Sequence, residues 1–217
     1  MDRREQPEAQ RRIGLTGGIG MGKTIVSDHL KISHSLPVLD ADVFAREAVA
    51  AESPILAAIA DRYGGGILFP DGSLNRSRLG GIIFGSVPER LWLEQQIHPF
   101  VRERLVSLMA TVPNPTIVLV IPLLFEARMT DLITESWVVH CSSKQQLERL
   151  MQRDQLTQEQ AQARINSQMA IQRKLAYADV VLDNSASIAD LLQQVDQALA
   201  QPPVPTGIGF DKVNAQG

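Results

Sequence analysis

The sequence predicts an α/β fold: a parallel sheet with helices on both faces. Short aliphatic runs alternate with helix-period segments along the 217 residues, and a glycine-rich turn joins the first run to the first helix. Hydrophobic residues make up 44% of the chain and charged residues 21%, enough for a core without staples. The length fits one sizeable domain, or one domain with an inserted subdomain.

In chain order, "RIGLT" (12–16) is the first strand, and "KTIVSDHLKI" (23–32) the helix after the turn. "LPVLD" (36–40) is the second strand, followed by a helix starting near Val43. Residues 52 to 110 carry helical patterns and a "YGGGILFPDGSL" turn region, and read as a helical insertion. Within it Leu93, Ile97, Val101, Leu105 and Leu108 form one apolar stripe. Pro99 should kink or divide that helix. "TIVLVI" (116–121), "WVVHC" (137–141) and "ADVVLD" (178–183) are the third to fifth strands, and Ile188, Leu191, Leu192, Val195 and Leu199 give the last helix its core face. Ser86 with Glu89, Ser143 with Gln146, and Thr157 with Gln160 stand at capping-box spacing and mark helix starts. The polar segment 1–11 and the Pro- and Gly-rich segment 201–217 are expected to be loose tails around a single domain over 12–200.

A net charge of −3 excludes a broad electrostatic footprint for nucleic acid or anionic membrane, so neither is an expected partner. The single cysteine, Cys141, excludes an intramolecular disulfide, and Cys/His zinc clusters are excluded with it. It reads as a small core residue, and a reducing compartment is expected. With no secretory h-region and no long apolar run, the protein is expected to be cytoplasmic. A monomer is expected, with a homo-oligomer left open. His29, His34 and His140 belong to no motif.

Gly17, Gly22, Lys23 and Thr24 satisfy G-x-x-x-x-G-K-[ST], with a strand before and a helix after. Glycines let successive N–H groups face phosphate oxygens, and the helix N-terminus adds its positive dipole end. Lys23 suits the β- and γ-phosphates, and the Thr24 hydroxyl suits Mg²⁺. A chance match in a chain of this length is on the order of 1 in 100. The loop predicts binding of a nucleoside triphosphate.

No N-K-x-D or L-S-G-G-Q motif is present, which leaves a small kinase as the best class. Such an enzyme needs a carboxylate near the acceptor hydroxyl and arginines for the transferring group. "LDAD" at the end of the second strand offers Asp40 and Asp42, which strand alternation would face the same way; either could instead cap the next helix. Arg149 and Arg153 share a helical face, and the glutamine-rich stretch 153–176, with Arg164, Arg173 and Lys174, suits a lid.

With "LTGGIGMGKT", "PVLDADVFAREAV", "LEQQIHPFVR", "VIPLLFEA", "QLERLMQRD" and "ADVVLDN" in this order, residues 12 to 200 resemble the dephospho-coenzyme A kinase family. The resemblance implies a P-loop NTPase fold, a three-layer α/β/α sandwich with a five-stranded parallel sheet in the order 2-3-1-4-5, a helical substrate subdomain and a lid. It implies transfer of the ATP γ-phosphoryl group to the ribose 3′-hydroxyl of dephospho-CoA, the last step of coenzyme A synthesis. Asp42 then looks like the carboxylate beside the acceptor, and Gly18, Gly20, Met21, Gly22, Lys23, Thr24 and Ile25 like the phosphate-contacting loop. Arg149 and Arg153 are similar to lid arginines, and Asn184 to a residue near adenine. Asp40, Arg46, His98, Leu123, Leu124 and Glu126 would face the acceptor, His98 as a structural or positioning residue.

Two departures stand out. Met21 and Ile25 replace the family's usual serine and threonine, so Ile25 lacks a hydroxyl for the α-phosphate. The third strand also lacks a terminal Asp, which leaves Mg²⁺ to Thr24 and, through water, to Asp40 or Asp42. Two other readings keep the loop: a kinase for a nucleoside monophosphate or small metabolite, and a nucleotide-sensing protein without catalysis.

Overall fold

The structure is a computed structural model that describes residues 10–203, so most of both expected tails lies outside the described residues. The chain divides into two compact units, one comprising residues up to Leu39 and from Leu108 onward, the other Asp40–Ser107.

The first unit is built on a parallel sheet of β1 (Arg11–Gly17), β2 (Val38–Asp40), β3 (Thr116–Val120), β4 (Glu135–His140) and β5 (Val180–Asp183), in the order β2-β3-β1-β4-β5. Each predicted aliphatic run forms its strand. Arg11, at the edge of the segment expected to be a tail, opens β1: its guanidinium pairs with the fully buried Glu135 at 2.5 Å and donates to the carbonyls of Leu199 and Gln201.

Alternate residues of the strands face α1 (Lys23–Ile32) and α9 (Ile188–Ala200). Ile13 and Leu15, Val118 and Val120, Trp137 and Val139, and Leu182 pack there with Val26, Leu30, Leu191 and Val195. Ile188, assigned above to the apolar stripe of α9, is 56% exposed. It is the first helical residue after the Ser187 cap.

The second unit holds α2 (Ala41–Glu47), α3 (Pro54–Tyr63), α4 (Arg76–Gly85) and most of α5 (Val87–Thr111). Its core contains Val49, Leu56, Ile59, Ile67, Leu79 and Leu93. Pro99 does not divide α5, which runs through it as one element. Arg62 clamps Glu89 through two nitrogens, at 2.7 and 2.9 Å, and stacks on Trp92.

The remaining helices of the first unit are α6 (Ser143–Asp154), α7 (Gln158–Asn166) and α8 (Ile171–Ala176). Thr157 and Gln160 form the expected capping box of α7, but α6 is capped by Ser142 with Gln145, one residue before the expected pair. Two consecutive serines and two consecutive glutamines offer the same spacing twice. Gln146 is buried and committed to the loop after β1, so Gln145 closes the box. Ser86 caps weakly through the Glu89 N–H at 3.5 Å, while the Glu89 carboxylate is taken by Arg62 and Tyr63. Among the described residues no helix is long and apolar enough to cross a membrane.

Candidate active site

The glycine-rich turn lies between β1 and α1, at the carboxyl end of the sheet, where open α/β sheets place ligands. Gly22 precedes α1 with φ 103°, a left-handed conformation that other residues rarely adopt, and a Cβ there would collide with the Asn184 amide. Lys23 Nζ reaches across the loop to the carbonyls of Gly17 and Gly18, each at 3.1 Å. Thr24 is exposed at the start of α1. Met21 is buried, its N–H closing a turn on the Gly18 carbonyl, and Ile25 packs against the main core. At both departures from the family pattern the apolar side chain is withdrawn from solvent in whole or in part, Ile25 against the main core.

The loop is gripped by three amides. Gln168 Oε1 accepts from Ile19 N–H at 2.9 Å, Gln146 Nε2 donates to the Ile19 carbonyl at 2.9 Å, and Asn184 Nδ2 donates to the Met21 carbonyl at 2.9 Å. Asn184 is buried, and Arg149 donates to its carbonyl, so these two predicted residues stand together beside the loop. Gln168 carried no motif signal among many glutamines, and the capping-box spacing of Gln146 from Ser143 pointed to a different role.

Arg153 makes two hydrogen bonds to Asp154, which also takes Arg164 at 2.7 Å. The Arg153 hydrogen bonds lead in holding the Asp154 carboxyl below its ordinary range. The structure therefore separates the roles of the two arginines: Arg149 braces the segment after β5, and Arg153 joins α6 to α7 through a shared carboxylate.

After β3 the chain turns through Leu123–Glu126. Leu124 is fully buried, whereas Leu123 and Glu126 are partly exposed. Glu126 Oε1 accepts from Lys174 Nζ at 2.8 Å and from the Met169 N–H at 3.0 Å, and Lys174 also donates to the Pro122 carbonyl at 2.8 Å. The basic residues of this stretch read as lid charges, but Lys174 is fully buried. Burial pulls its ammonium pKa down, offset in part by the charge of Glu126. Glu126 Oε2 is buried with no partner among the described residues.

In the second unit, α2 begins one residue after β2, so strand alternation does not extend to Asp42. Asp40 is the N-cap, accepting from the Asp42 N–H at 2.8 Å, and Asp42 occupies the first helical turn. Asp42 and Arg46 are exposed and four residues apart, hence on one helical face. His98 is half-buried in α5.

A profile of the dephospho-CoA kinase family matches residues 11–190. A dephospho-CoA kinase from Trichormus variabilis is 61% identical over 190 residues, which cover 88% of this chain and 97% of that protein. A crystal structure from Thermus thermophilus is similar with 30% identity and a TM-score of 0.74, covering 88% of this chain and 97% of that one. The dephospho-CoA kinase from Campylobacter jejuni is 28% identical with a TM-score of 0.64, covering 87% of this chain and 94% of its own.

The sheet order and the phosphate-wrapping loop define a P-loop kinase, an enzyme that transfers phosphate to a hydroxyl group. Within that class, the chain belongs to the dephospho-CoA kinase family.

Proposed function

We infer that this chain carries out the ATP-dependent phosphorylation of dephospho-CoA in coenzyme A biosynthesis, moving the γ-phosphoryl group to the ribose 3′-hydroxyl. The observation that carries the reading is the intact G-x-x-x-x-G-K-T loop at the head of α1, in a chain matched to the family over nearly its whole described length.

The loop N–H groups and Lys23 hold the phosphates and draw charge from the transferring group. Lys23 donates to two loop carbonyls, which holds its ammonium over the loop. Asn184 keeps the loop curled through the Met21 carbonyl and stands near the adenine. Arg149 and Arg153 supply further positive charge from α6.

Asp42 orients the acceptor hydroxyl and takes its proton as the bond to phosphorus forms. Asp40 fixes the first turn of α2 and thereby the placement of Asp42, while Arg46 and His98 bind the acceptor. Leu123 and Glu126 bind it from the turn after β3; Leu124 contributes by filling the core beneath that turn.

The hard oxygen of Thr24, exposed at the start of α1, fits Mg²⁺, which keeps most of its waters and otherwise prefers phosphate and carboxylate oxygen. Bound with ATP, the ion neutralises phosphate charge.

Purified protein should form ADP in a Mg²⁺-dependent reaction with dephospho-CoA and not with AMP, adenosine or no acceptor. The product should carry its new phosphate at the 3′ position. Turnover with another acceptor and not with dephospho-CoA would overturn the assignment.

A further inference from the structure

At the far end of α1 from the nucleotide loop, three side chains converge that the kinase reaction does not use. His29 lies in the last turn of α1, His34 in the turn that follows, and Asp196 on α9. The Nε2 atoms of both histidines lie against the same carboxylate oxygen, Asp196 Oδ1, at 2.6 and 2.8 Å.

The local chain builds this convergence. Ser33 ends α1, Ser35 adopts φ 54° in the left-handed region, and the Leu36 N–H returns to the Leu30 carbonyl. The turn folds the chain back and sets the His34 ring edge-on to His29, with centroids 5.2 Å apart.

We propose that His29, His34 and Asp196 form a binding site for a divalent transition metal of the zinc type, joining the end of α1 to α9.

One ligand atom from each residue can be chosen so that all three lie within 4.8 Å of one another. A tetrahedral ion with bonds near 2.0–2.1 Å holds its ligands roughly 3.3 Å apart, so the two imidazoles need to withdraw from Oδ1 by only about half an ångström. His29 and His34 side chains retain 14% and 31% of their exposure and Asp196 51%, which leaves room for that motion and for a water as fourth ligand.

The outer partner is in place too. Ser33 Oγ sits 3.2 Å from His29 Nδ1 and can accept a hydrogen bond from Nδ1–H, which leaves Nε2 with the lone pair that binds metal. Two imidazoles and one carboxylate favour Zn²⁺, Co²⁺ or Ni²⁺, whereas Mg²⁺ prefers an all-oxygen shell. The site therefore discriminates against the ion that accompanies ATP.

The full chain, stripped by chelator dialysis, should be titrated with zinc chloride in Mg²⁺-containing buffer by calorimetry, and with cobalt chloride by visible absorption. One Zn²⁺ per chain should bind, and Co²⁺ should give the intense visible bands of a low-coordinate site. Saturating Zn²⁺ should raise the melting midpoint by several degrees, because the ion binds the folded chain. His34→Gln and Asp196→Asn should each weaken Zn²⁺ binding by more than about tenfold and remove the shift. Both positions are at the surface, and melts without metal establish that each variant folds; should one fail, the other decides. Absence of binding by the parent chain, or equal affinity in a folded variant, would overturn the site.

Discussion

At the scale of single residues, Asp42 and Asp40, two residues apart, differ in setting: Asp42 is exposed and Asp40 caps α2. Asp40 spends its side chain on capping the first turn of α2, and Asp42 is the carboxylate proposed above to orient the acceptor hydroxyl. Asp42→Asn keeps size and polarity but removes the base, so turnover should fall by ~10²–10⁴. Steady-state rates and ATP affinity, measured together, check this: affinity should hold, and near-normal turnover would remove Asp42 from the reaction. The two aspartates and the capping alternative are legible in "LDAD"; which of the two caps is not, because it depends on a helix that starts at Ala41, two residues before the start near Val43 that the local pattern suggests. Lys174 was misread for a related reason. Its burial depends on Glu126 and the Pro122 carbonyl, 48 and 52 residues away in the chain.

At the scale of elements, caps and ion pairs fix where helices start and how they hold together. Removing the Ser142 hydroxyl with Ser142→Ala should destabilise the protein by about 1 kcal/mol, or roughly 2–4 °C in melting midpoint, whereas Ser143→Ala should stay within about 0.5 kcal/mol. Calorimetric melts of the two variants separate the neighbouring serines, and equal losses would contradict the observed cap. In the second unit, the Arg62 and Tyr63 hydrogen bonds hold the Glu89 carboxyl at about 2, below its ordinary 4.5. A depressed folded value contributes stability that is complete above about pH 4.5 and is lost as pH falls towards 2. The melting midpoint of the parent should therefore drop more steeply below pH 4.5 than that of Glu89→Gln. Superimposable profiles would mean that the pair does not couple to folding.

At the scale of the whole molecule, the order of aliphatic runs, glycine-rich turn and helical insertion reads directly as the sheet and its connections. Arg11 shows where such reading stops. It sits beside a charged segment without periodicity, yet its guanidinium meets the buried Glu135 of β4 and the carbonyls at the end of α9. Arg11→Met would leave Glu135 buried and unpaired, at a cost of about 3–5 kcal/mol. The melting midpoint should fall by on the order of 10 °C, and a shift of under two degrees would show that the pair contributes little.

The α/β class, the strands, the first helix and the phosphate loop follow from local pattern alone, because each rests on periodicity or spacing within a few neighbouring residues. It takes the folded chain to bring Gln146, Gln168 and Asn184 onto the loop, to bury Lys174, and to join His29 and His34 to Asp196. Those pairings join residues up to 167 positions apart, and a side chain with no local signature acquires its role only from the partner that folding brings to it.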